Sequence, residues 1–169
     1  MEQELIKIFD NICEQNKKYI SQNGTMSPMA FFIDKNNHLE IVLMVIKNPT
    51  EKELFKRLIK AKALMSEIKG YILVMDSVMT SLNSQNKDIA KTQETVVTQL
   101  FTAQETLSRF MIHKGKKIIE EEIPDGFKIK TDWNIWSEGM NMDIKEEKEI
   151  CEWYHQYKQD NPDKYKDVA

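Results

Sequence analysis

Three carboxylates, Asp34, Glu40 and Asp76, have the types and positions that could do chemistry. Asp34 ends one apolar run, Glu40 lies on the next, and Asp76 interrupts the run Val74-Met75-Asp76-Ser77-Val78-Met79. An acid closing one strand, followed on the next by an acid and a lysine two apart, would hold a divalent ion and polarise a water. That would make a small metal-dependent hydrolase or nuclease. Here Val42 occupies the lysine's place, and Asp34 and Asn36 are also ordinary turn residues, so this is the alternative reading. Asp76 would be costly if buried unpaired. It is expected where its strand leaves the sheet, or paired with Lys47 or Arg109; Arg109 itself reads as a salt-bridge residue on the sheet.

Other catalytic chemistry finds little support. His38, His113 and His155 have no His, Cys or acid at zinc-ligand spacing, and Cys13 and Cys151 stand on different helices. Cys13 lies on an apolar face, where burial raises a thiol pKa and makes it inert. There is no G-x-S-x-G elbow, and the five glycines are too scattered for a phosphate cradle. The leading expectation is therefore no enzyme activity, no metal and no cofactor.

Aromatic residues offer a different chemistry, that of recognition. Trp133 and Trp136 stand with Met140 and Met142 in an irregular segment, and Trp153, Tyr154 and Tyr157 form an apolar stripe with Ile150 on a charged helix. Large aromatics so placed either cover the domain's own core or anchor a partner. These five residues, Trp133, Trp136, Trp153, Tyr154 and Tyr157, are the candidate partner-binding set.

The elements that must position these residues follow from periodicity. Residues 3–20 carry Leu5, Ile8, Phe9, Ile12, Cys13, Tyr19 and Ile20 mainly at helical spacing, with Asn23-Gly24 as a stop. Runs at 29–33 and 38–46 flank an Asx-rich turn and read as a hairpin; the second is apolar on both faces and reads as a central strand. Thr50 and Glu53 have capping-box spacing ahead of a helix that Gly70 ends. Strands follow at 71–79, 95–103, 106–113, 117–122 and 127–132, with a long polar loop over 80–94 that is expected to be mobile or functional. A last helix spans 143–157.

The order α-β-β-α-β-loop-β-β-β-α predicts an α+β fold: a mostly antiparallel sheet of five to six strands with helices packed against one face. That order is similar to scaffold and regulatory folds of the roadblock and longin type, and to profilin-like sheets. Residues 1–132 are expected to form one domain, with 133–169 a Trp-rich segment and acidic helix that packs on it or extends from it.

Composition narrows the class. The chain has 169 residues, 41% of them hydrophobic, which suits one domain with a real core and excludes a wholly disordered chain. No apolar run is long enough to span a membrane as a helix. The N-terminal sequence lacks the features of a secretory signal, and two cysteines make no disulfide framework, so a cytoplasmic setting is expected. Residues 1–116 hold 16 basic and 13 acidic side chains, whereas 117–169 hold 8 and 14. The acidic end reads as a solvated face, or as an acidic inhibitor of a nucleic-acid-binding enzyme. Direct nucleic-acid binding is not expected, because no basic cluster exists.

From Met29 to about Glu122 the pattern also resembles a scattered group of small uncharacterised bacterial and phage α+β proteins. The likeness rests on a strand pair, a helix, a strand ending in Val74-Met75-Asp76-Ser77-Val78-Met79, a polar loop and two more strands. Where that group has an acid followed by Ala and Trp, this chain has Asp76-Ser77-Val78. The resemblance implies no activity and no catalytic residue. The expectation from all these features is a non-enzymatic interaction, regulatory or scaffold domain, an accessory protein of a phage or mobile element. It would bind a protein partner, itself as a homodimer, or both.

Overall fold

The computed structural model describes residues 2–82, 89–120, 134–135 and 143–162, with no side chain described for 79–82, 89–92 or 120. Helix α1 (Gln3–Asn23) is followed by the hairpin β1 (Met29–Ile33) and β2 (Leu39–Leu43), then α2 (Pro49–Leu64). Strands β3 (Gly70–Leu82), β4 (Ile89–Thr102), β5 (Thr106–Lys114) and β6 (Lys117–Glu120) form a meander, and α3 (Ile144–Asp160) follows. The six strands make one open sheet in the order β2-β1-β3-β4-β5-β6, and every neighbouring pair is antiparallel. The fold is α+β, as the element order predicts. The chain divides into two compact units, Met1–Val45 with Gly70–Ile129, and Ile46–Lys69 with Lys130–Ala169. Helices α2 and α3 fall in the same unit.

In the first unit, α1 buries Leu5, Phe9, Ile12, Asn16 and Ile20 on one face. They pack on Phe31 and Ile33 of β1, Ile72 and Val74 of β3, Val96 and Leu100 of β4, and Met111 of β5. Gly24 ends the helix in the left-handed region at φ 79°, its N–H donating to Ile20 O at 2.8 Å, a conformation that L side chains resist. The opposite face of the sheet is also buried, with Tyr71 stacked on its cross-strand neighbour Phe101 at 4.9 Å between centroids.

Four expectations about local structure are corrected. Strand β2 is an edge strand: its apolar run alternates exposed and half-buried instead of being covered on both faces. The polar stretch 80–94 is mostly strand, because β3 continues to Leu82 and β4 begins at Ile89, leaving only 83–88 outside the described residues. Backbone pairing with β4 carries β3 out to Leu82 without an apolar alternation in the sequence. The cap of α2 is Asn48, whose Oδ1 accepts from Glu51 N at 2.9 Å with Pro49 in the first turn; the expected Thr50–Glu53 box does not form the cap. That helix also stops at Leu64, short of Gly70. The expected strand at 127–132 lies outside the described residues.

In the second unit, Leu58 and Ala61 of α2 form a small core with Ile150 and Tyr154 of α3, flanked by Leu64, Met65, Trp153 and Tyr157. A capping box starts α3: Asp143 accepts from Glu146 N, and Glu146 accepts from Asp143 N.

Candidate functional site

The three carboxylates are not brought together. Asp34 closes the β1–β2 turn: its Oδ1 accepts from the backbone N–H of Asn36 at 2.7 Å and of His38 at 2.8 Å, and its Oδ2 lies 3.1 Å from His38 Nδ1. Desolvation would raise its pKa, but those N–H donors and the His38 ring together hold it below the ordinary value. Glu40 lies opposite Phe32, which pairs in turn with Tyr71, so Glu40 points to the sheet face away from α1. Asp76 is on the α1 side, exposed and opposite Val96. It lies six positions beyond Gly70, the partner of Ile33, and therefore about 20 Å along the strand from Asp34. Asp76 pairs with neither Lys47 nor Arg109: β1 reaches only as far as Val74, and beyond it Asp76 is solvated. Among the described residues no group of three His, Cys, Asp or Glu side chains converges to hold a metal.

The aromatic set resolves differently for each member. Tyr154 is fully buried and donates its hydroxyl proton to Glu67 Oε2 at 2.8 Å, so it belongs to the α2–α3 core. Trp153 and Tyr157 are half-buried and stack on each other at 5.2 Å, with Arg57 of α2 placed 5.4 Å over the Trp153 ring. They pack on α2, where packing on the sheet was the expected alternative. Trp133 and Trp136 lie outside the described residues. On α3, lysines answer the acids at helical spacing, Lys145 with Glu149 and Lys148 with Glu152.

Two other features have the form of binding sites. The first is the β2 edge. Hydrogen bonds from Asp34 N to His38 O (3.1 Å) and from Met44 N to Pro28 O (2.9 Å) fix the phase of the β1–β2 ladder. Glu40, Val42 and Met44 therefore turn their backbone polar groups toward β1, and Leu39, Ile41 and Leu43 turn theirs outward. The side chains of those same three residues stand on the α1 side of the sheet but outside the cluster that α1 covers, and are 43%, 60% and 63% exposed. Val45 extends the row at 65%. The other edge, β6, is short, begins with Lys117 and is distorted by a register shift at Ile112/His113, features that blunt an edge.

The second is a cleft of about 380 Å³ between α1 and strands β4 and β5. Its floor is polar. Asn16 occupies the core stripe of α1 between Ile12 and Ile20, is 3% exposed, and donates from Nδ2 to Thr98 Oγ1 at 3.1 Å. Thr98 lies between Val96 and Leu100 on the same face of β4 and pairs across the sheet with Arg109. The Arg109 guanidinium reaches Asp10 Oδ1 at 3.3 Å, and Lys17 pairs with Glu14 at 2.7 Å. Burial pushes the Cys13 thiol up to about 11, against the pull of Arg109, so it is uncharged at neutral pH. The raised Cys13 pKa and the salt-bridged Arg109 agree with expectation. Asn16 and Thr98 were missed, though each is a polar residue at an apolar position of its period.

No family model matches the chain, nor does any curated protein or solved structure.

Proposed function

We propose that this chain is a protein-interaction domain, not an enzyme, and that it takes an extended segment of a protein partner along β2. The supporting observation is the coincidence, on Leu39, Ile41 and Leu43, of outward backbone donors and acceptors with an uncovered apolar row. A strand laid there gains main-chain hydrogen bonds from the edge, and specificity from alternate side chains that meet the apolar row. A second copy can supply that strand: antiparallel pairing centred on Ile41 sets Leu39 against Leu43 and Glu40 against Val42, with no like charges opposed.

A photocrosslinking amino acid at position 41, in cells making the full chain, tests this. A discrete adduct is expected, to a partner or to a second copy, and none from the same group at the exposed Lys145. The absence of any adduct specific to position 41 overturns the proposal. Ile41→Lys is expected to weaken the association by about tenfold or more, the loss that a central apolar contact typically brings. Sedimentation velocity distinguishes self-pairing from a different partner.

A further inference from the structure

We propose that the cleft between α1 and β4–β5 binds a small α-amino-acid-type zwitterion, its carboxylate on Arg109, its ammonium on Asp10 and its uncharged polar side chain on the Asn16–Thr98 floor. This goes beyond the strand-addition reading and does not rest on it.

The volume, about 380 Å³, lies at the small end of ligand pockets, which run from roughly 300 to 1,000 Å³. The chemistry of the lining then selects the ligand. Arg109 and Lys17 are balanced by Asp10 and Glu14 around the opening, so the rim carries both signs in equal number. A simple organic anion on Arg109 competes with Asp10 for the guanidinium charge and leaves that carboxylate less well compensated. A zwitterion replaces the Arg109–Asp10 pair with two pairs and keeps the balance. The pair it replaces is a single contact of 3.3 Å between side chains 62% and 50% exposed, the kind of ion pair that contributes little and exchanges readily. The guanidinium has five donors, of which this contact uses one, so a bidentate carboxylate can be received.

Below the rim, Asn16 and Thr98 are 3% and 4% exposed, yet both line the cleft. Their mutual hydrogen bond uses one amide N–H of Asn16; the amide oxygen and second N–H have no partner among the described residues. A buried amide with free positions toward a cavity is matched by a hydroxyl or carboxamide, not by a charge or a hydrocarbon. Val96 and Met111 supply the apolar wall beside it.

Two-dimensional NMR of the isotope-labelled full chain, titrated one at a time with the standard L-amino acids to millimolar concentration, tests this. At least one amino acid with a hydroxyl or carboxamide side chain is expected to shift the Asn16 side-chain amide and the Arg109 Nε–H saturably. Arg109→Gln is expected to weaken that binding tenfold or more. Asp10→Asn is expected to abolish the preference for the amino acid over its deaminated analogue. Both residues are half-exposed, so neither variant threatens the fold. The proposal is overturned if no amino acid shifts these signals, if Arg109→Gln binds as well as the wild type, or if the deaminated analogue binds wild-type protein equally well.

Discussion

At the scale of single residues, Asn16 and Glu67 show how polar groups are held inside. Asn16 donates to Thr98 within an otherwise apolar cluster, and removing either side chain leaves the other without that bond. Asn16→Leu or Thr98→Val alone is expected to cost about 1–3 kcal/mol, whereas the double replacement, which restores both apolar periods, comes close to neutral. Urea denaturation of the four proteins tests this; a double variant as damaged as the sum of the singles refutes it. Glu67 accepts from Tyr154 and from Lys158 at 2.9 Å, with Lys62 at 3.9 Å. Burial opposes its ionisation, but the hydrogen bonds from Lys158 and Tyr154 and the charges of Lys158 and Lys62 outweigh it and depress the pKa. A carboxyl depressed on folding stabilises fully above its unfolded pKa, about 4.3, and loses that contribution as pH falls through the lower folded value. Acid titration is therefore expected to loosen the α2–α3 core below about pH 4.3, as read by Trp153 fluorescence, and Glu67→Gln is expected to flatten that response. From sequence, Asn16 is visible as the one polar member of an apolar stripe, and Thr98 likewise. That they meet depends on the packing of α1 across β4, which no spacing records.

At the scale of elements, the helices were legible in their interiors and less so at their ends. The stripe of α1 and its Gly24 stop follow directly from helical spacing. At α2 two overlapping cap signals compete, and Asn48 prevails because Pro49 fits the first helical turn, where its missing N–H is not needed. Asn48→Ala is accordingly expected to cost about 1 kcal/mol and Thr50→Ala a few tenths, as compared by thermal denaturation. The placement of β2 was not legible, because a strand apolar on both faces has the same sequence whether protein or water covers it. The long β3–β4 ribbon was hidden because a run of polar residues suits a paired strand and a loop alike.

At the scale of the whole molecule, the sheet meander and the helix order were legible. The second unit is assembled from two stretches, with all of β3 to β6 between them in sequence. Its small core centres on Tyr154, whose side chain is fully buried, so Tyr154→Ala is expected to cost about 3–5 kcal/mol. Hydrogen exchange in that variant should rise along Pro49–Leu64 and Ile144–Asp160 together; a rise confined to one of them would show that the two helices are not a single cooperative piece.

The uncovered row on β2 also bears on how much of this protein a cell can safely make. An edge able to accept a foreign strand does not discriminate against misfolded or nascent chains that present one. On the strand-addition proposal, production of the chain and of its partner must be matched in amount. Surplus made alone is then a burden of aggregation or degradation, and co-production relieves it.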